Sequence, residues 1–194
     1  MLRQLRNIRR QVPTAVFQSL VVALVLSRLD YCNRVLAGLS ANLIRRLQSV
    51  QNTAAWLIYG IWRSEHITDV LISLHWLCVP ERILFKIAVT TYRALNGSAP
   101  LYLSSYFTRV TDVPSNQLAV PPFNLSTVGK RAFPVSGANF WNSRPSHVTS
   151  APSLAIFWQR LKTFLFHQSY PDLIFLFSSC FIVDLPIILL FRPH

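Results

Sequence analysis

The chain is poor in acid. Seven Asp and Glu stand against 19 Lys and Arg, a formal net charge of +12. The acids are Asp30, Glu65, Asp69, Glu81, Asp112, Asp172 and Asp184, and no two are adjacent. Only Glu65 and Asp69 share a local segment, at the i,i+4 spacing of an ordinary helix surface. A two-metal nucleotidyl-transfer site needs carboxylates converging on ions about 4 Å apart, and nothing in this spacing suggests one. Glycine is also scarce: there are five, none clustered, so no Gly-rich phosphate loop is present. Cys32, Cys78 and Cys180 are odd in number and widely spaced, which argues against a disulfide framework and for a reducing compartment. No Gly-x-Ser-x-Gly elbow occurs and no cysteine stands beside a plausible base. His66, His75 and Cys78, with Cys32 as a fourth ligand, fit no common zinc pattern. The expectation from these absences is no catalytic residue, no cofactor, no metal site and no small-molecule substrate.

What is present is apolar residue and positive charge. The 194 residues are 52% apolar, enough for one domain with a hydrophobic core. The surplus of cations raises affinity for polyanions by long-range attraction. Nucleic acid and anionic membrane are the two natural partners.

Periodicity predicts a mainly α fold. Leu2, Leu5, Ile8 and Val12 recur at helical spacing over residues 1–12, with Arg3, Arg6 and Arg10 on another face. An Arg-rich targeting peptide is the competing reading of that stretch. Pro13 and Thr14 open a second helix, and the apolar run from Leu20 to Leu26 predicts burial on most sides. Over residues 40–60, Leu43, Leu47, Val50, Ala54, Leu57 and Ile61 form one apolar stripe. Arg45, Ser49, Asn52 and Trp56 lie opposite, with Ser40 or Asn42 as cap and Gly60 as stop. A helix from Pro80 to about Leu95 carries Glu81 in its first turn and ends at Asn96-Gly97. Its apolar side is Ile83, Leu84, Ile87, Ala94 and Leu95. Pro114, Pro121, Pro122, Pro134 and Pro145 predict an irregular segment over residues 108–150, with short strands at most. Helical spacing returns from Ser153 to about Phe166, with Leu154, Phe157, Leu161 and Leu165 on one side. Residues 173–191 approach the length of a membrane span, but Asp184 and Pro186 interrupt them.

The basic residues fall into four groups. Arg82, Lys86 and Arg93 form a stripe on one helix. Arg45 and Arg46 form a second patch, and Arg3, Arg6, Arg9 and Arg10 a third. Lys130 and Arg131 lie near Phe133, Phe140 and Trp141, where rings beside cations offer base stacking. The candidate nucleic-acid-binding residues are Arg45, Arg46, Arg82, Lys86, Arg93, Lys130 and Arg131. The alternative is that these stripes are solvated faces and the rings are core.

A series of phrases gives the chain a likeness. Ser27-Arg28-Leu29-Asp30-Tyr31-Cys32-Asn33 is followed by Ala37-Gly38-Leu39, Leu47-Gln48-Ser49-Val50-Gln51-Asn52-Thr53-Ala54-Ala55 and Glu65-His66-Ile67-Thr68. Next come Leu74-His75-Trp76-Leu77, Arg82-Ile83, Phe85-Lys86-Ile87, Ala99-Pro100-Leu101-Tyr102-Leu103, Gly129-Lys130-Arg131-Ala132-Phe133, Trp141-Asn142-Ser143 and Leu161-Lys162-Thr163-Phe164-Leu165-Phe166. In this order, over about residues 1–167, the chain resembles the carboxy-terminal part of reverse transcriptases of non-LTR retrotransposons (LINE elements), jockey-like ones among them. The resemblance implies a helical thumb-like region over residues 1–107, an irregular segment over 108–150, a helix over 151–168 and an apolar tail over 169–194 outside the family pattern. It also implies contact with RNA or an RNA–DNA hybrid. The family's catalytic Asp pair has no counterpart here, so the implied function is a catalytically inactive fragment of an RNA-directed DNA polymerase. Trp56 stands where the family usually has Arg, and Cys78 where it has Pro. The implied setting is intracellular, nuclear or cytoplasmic. The alternatives are a small membrane-associated protein anchored by residues 173–191, or a translated remnant without selected function.

Overall fold

The computed structural model describes residues 2–31, 33–60, 66–110 and 117–171. Among them the fold is mainly α-helical, as the periodicity predicts. The one β pairing among the described residues is an isolated antiparallel bridge between Arg109 and Leu118.

Helix α1, Leu2–Ile8, tapers into a 3₁₀ turn at Arg9–Gln11. Leu5 is buried and Arg3, Arg6 and Arg10 face outward, matching the predicted amphipathic pattern. Pro13 caps α2, Thr14–Val21, which passes through a π-helical turn at Val22–Leu26 into α3, Ser27–Asp30. The expected burial on most sides does not occur. Phe17, Val21, Val25 and Leu26 are buried, but Val16 and Leu24 are exposed. The apolar run is longer than the face that α4 covers.

Helix α4, Ala41–Tyr59, starts after Ser40 and stops at Gly60, whose φ of 69° is the left-handed cap glycine allows. Its inward face differs from the predicted stripe. Gln51, Ala54, Ala55 and Ile58 are buried, while Leu43 and Val50 are exposed. That is a turn of about one residue, roughly 100°. Two things favour it. Ala54 and Ala55 let neighbouring helices approach closely, and the Gln48 and Gln51 amides meet backbone groups that have no helical partner. Gln51 Nε2 donates to the Leu77 carbonyl at 2.8 Å, and Gln48 Oε1 accepts from Val79 N at 2.8 Å.

After α5, Ile67–Ser73, comes the central helix α6, Val79–Leu95. Pro80 and Glu81 occupy its first turn, and Asn96 and Gly97 end it as predicted. It is buried on nearly every side, including Arg82, Phe85 and the run Ala88–Tyr92. A short helix, α7, Leu101–Ser104, follows.

The stretch expected to be irregular is more ordered than its prolines suggest. It holds α8, Ser126–Gly129, α9, Phe133–Asn142, and α10, Ser146–Thr149. Pro134 sits in the first turn of α9, and Pro145 occupies the cap position of α10. Proline is tolerated at both places, because the N–H it lacks would have no helical acceptor there. Pro114 lies outside the described residues.

The last helix, α11, Leu154–Ser169, begins at Ser153, whose side chain accepts from Ile156 N. Such a cap contributes about 1 kcal/mol. Phe157, Leu161 and Leu165 are buried, as the spacing predicts. They join Phe85, Ala88, Tyr92, Phe140 and Trp141 in one core cluster built on α6, α9 and α11. A second cluster gathers Phe17, Val21, Ala54, Ala55, Ile58 and Trp76 from the amino-terminal helices. Helix α11 runs antiparallel to α6. Tyr92 stacks on Phe157 with ring centroids 4.3 Å apart, and at the other end the Cys78 thiol reaches the Tyr170 hydroxyl at 3.7 Å. Among the described residues no helix is long and apolar enough to cross a membrane. The stretch 173–191 lies outside them.

Candidate nucleic-acid interface

The seven candidate cations do not form one surface. Arg45 and Arg46 are exposed on α4, with Arg45 Nε donating back to the Ala41 carbonyl at 3.3 Å. Lys130 and Arg131 are exposed in the turn after α8. Arg131 is brought to the start of α4. Its side chain lies over Gly38, where an added Cβ would sit 2.9 Å from Arg131 Cγ. Gly38 has a φ of 68° and so also needs glycine for its backbone. Two of the four basic groups therefore meet near the amino terminus of α4. Asp30, Glu81 and Asp69 lie on other helices, and the first turn of α4 holds no acid.

The proposed stripe on α6 is not a stripe. Arg82 is only 5% exposed, and it is bidentate on Asp30, through Nε at 3.0 Å and Nη2 at 2.6 Å. Asp30 also accepts from Asn33 Nδ2 at 2.9 Å. A guanidinium held this way is committed to the fold and unavailable to an outside phosphate. Lys86 is half-buried one turn on. Arg93 lies about 16 Å from Arg82 along the axis, where its Nη2 donates to the Ser98 carbonyl at 3.2 Å. A cation there complements the carboxyl end of the helix.

The expected stacking platform is also absent. Phe140 and Trp141 are buried at 6% and 5% exposure, and Phe133 packs edge-on against Phe107 at 5.5 Å. These rings are core, because α9 turns them toward α6 and α11. Of the amino-terminal arginines, Arg9 is spent on the carboxyl end of α4, donating to the Ile58 carbonyl at 3.1 Å and lying over Gly60. Arg3, Arg6 and Arg10 remain exposed.

Several polar clamps were invisible to spacing. Asn142 Nδ2 donates to the Leu118 carbonyl and its Oδ1 accepts from Leu118 N, both at 2.8 Å. Arg144 stacks over Phe140 at 4.2 Å and Phe164 at 4.8 Å. The only available signal for the Asp30–Arg82 pair was that both residues stand in quoted phrases.

The chemistry these groups support is limited. Burial pushes the Cys78 thiol above its ordinary value, with Tyr170 opposing and Glu81 adding to the rise. That disfavours the nucleophilic thiolate. Burial likewise raises Glu81, against bonds from its own backbone and Ser169. The Tyr170 hydroxyl donates to the Trp76 carbonyl at 2.6 Å and is held well above the usual phenol range, chiefly by burial. Among the described residues no three His, Cys, Asp or Glu gather to hold a metal ion. Cys32 and Glu65 lie outside them. No known protein family, curated protein or solved structure matches the chain.

Proposed function

We propose that this chain is a catalytically inactive, thumb-like segment of a non-LTR retrotransposon reverse transcriptase that retains affinity for RNA or an RNA–DNA hybrid. The observation that carries the nucleic-acid reading is the charge balance of the chain. Nineteen cations face seven acids, and one of those acids is consumed inside the fold by Arg82. Even with complete pairing, twelve cations would have no acid of their own. Such a surface gains affinity for a polyanion by releasing its counterions. The contact surface in this reading is Arg45, Arg46, Lys130 and Arg131 around the start of α4.

The family reading draws support from how the quoted phrases meet. Asp30 of one phrase holds Arg82 of another. Gly38 receives Arg131. Gln48 and Gln51 cap the segment that joins Leu77 to α6. Phrases far apart in sequence thus supply one another's tertiary contacts, as expected of parts of one fold. The inactive reading rests on the acids: no two of the seven are adjacent in sequence, and Asp30 is tied to Arg82.

Binding to a labelled RNA–DNA hybrid, followed by anisotropy across a salt series, tests the proposal. Each phosphate neutralised adds about −0.9 to the slope of log K against log salt. Arg45→Ala with Arg46→Ala is expected to flatten that slope by about 1–2 while leaving the melting temperature near that of the parent. Salt-indifferent binding by the parent chain would remove the mechanism.

A further inference from the structure

The geometry points to a cavity at the carboxyl end of α6 as the seat of one unstacked nucleobase. It rests on the nucleic-acid reading above and names a base contact which that reading lacks. The cavity measures about 220 Å³, short of the roughly 300–1,000 Å³ of a drug-sized pocket. One planar ring system fits, and the sugar and phosphate attached to it stay outside. Three segments meet there. They are the last turn of α6 with Tyr92 and Asn96, the bridge residue Arg109, and Ser150 with Ala151 after α10; Trp141 of α9 lies alongside. Arg109 is held in place through its backbone. It pairs with Leu118, and the neighbouring Val110 N donates to the Gln117 carbonyl at 3.0 Å. Asn142, the last residue of α9, clamps Leu118 through two bonds. The residue after Trp141 therefore fixes the pairing that presents Arg109.

The floor of the cavity is chemically spent and its rim is not. Tyr92, Trp141 and Ala151 are buried, and the Tyr92 hydroxyl donates to the Ala151 carbonyl at 3.0 Å. Arg109, Asn96 and Ser150 are exposed. Arg109 has no acid, ring or carbonyl partner for its guanidinium among the described residues, so all five of its N–H donors are available. The Tyr92 carbonyl takes Asn96 Nδ2 at 2.8 Å, which leaves Asn96 Oδ1 as an acceptor. The Ser150 hydroxyl makes no hydrogen bond among the described residues and serves either way. A rim of this kind selects its ligand. The carboxyl end of α6 and the Asn96 oxygen disfavour a phosphate, and Arg109 disfavours a cation. A nucleobase is neutral and planar, and its edges carry donors and acceptors together. The planar fork of a guanidinium meets two acceptors on such an edge at once. Single-stranded RNA offers bases whose edges are unpaired.

Arg109→Lys keeps the charge and removes the planar fork. Ser150→Trp fills the mouth of the cavity from an exposed position. Affinity is read by anisotropy for a single-stranded RNA and for the same strand carrying abasic positions. The parent is expected to prefer the intact strand by about tenfold, the discrimination of one paired base edge. Both variants bind the two strands alike, and the salt slope of Arg109→Lys stays that of the parent because its phosphate contacts are unchanged. NMR of the parent reads the site without any substitution: adenosine moves the Ala151 methyl signal, and ribose 5-phosphate does not. An unmoved Ala151 signal, equal affinity of the parent for the two strands, or an undiminished preference in either folded variant overturns the base seat while leaving binding through α4 intact. Salt-indifferent binding by the parent overturns the functional reading, whatever adenosine does to Ala151.

Discussion

Arg82 is a charged residue buried within the fold. Its guanidinium and the Asp30 carboxylate are both largely withdrawn from water, so each neutralises a charge the other could not carry alone. Arg82→Ala leaves Asp30 buried without its partner. It is expected to cost about 3–5 kcal/mol of stability in chemical denaturation, with no comparable change in the salt slope of binding. Glu81 makes the opposite case. Burial raises its pKa above the ordinary value of 4.5, so the folded chain favours the protonated carboxyl. The stability this contributes is fully present below the ordinary value and is lost as pH rises through the folded one. The helix amino terminus favours the ionised form, but burial is the larger influence. Glu81→Gln is therefore expected to melt above the parent at pH 7 and level with it at pH 4.

At the scale of elements, helix ends were legible and helix rotation was not. Gly60, Asn96-Gly97 and Ser153 marked their boundaries because capping is chemistry within a few residues. The inward face of α4 departs from periodicity because its most apolar stripe includes Leu43 and Val50, whereas the fold buries Gln51 to satisfy Leu77. That preference depends on a backbone carbonyl 26 residues away, and no local window contains it. Helix α9 does not follow from its composition, because Pro134, a breaker in a helix interior, stands in a first turn. Gly137 fixes how α9 crosses α6. A Cβ there would meet Thr91 Oγ1 at 2.8 Å and the Phe107 ring at 3.0 Å. Alanine improves helix propensity by about 1 kcal/mol, while overpacking costs about 1–3 kcal/mol. Gly137→Ala is expected to lower the melting temperature by a few degrees.

For the whole molecule, composition was the most informative reading. The mainly helical class follows from period, and the expectation of a polyanionic partner from a net charge of +12. Which cations stand at the surface is only partly legible. Arg45, Arg46, Lys130 and Arg131 are exposed, but Arg82 belongs to the interior. Spacing along one helix cannot reveal a carboxylate arriving from another.

The clasp between Tyr170 and the Trp76–Cys78 turn closes contacts across more than 90 residues of sequence. A ribosome adding about 5–20 residues per second needs about 5–18 s to deliver α11 after it has released the start of α6. For that interval the central helix lacks α11, which packs along it.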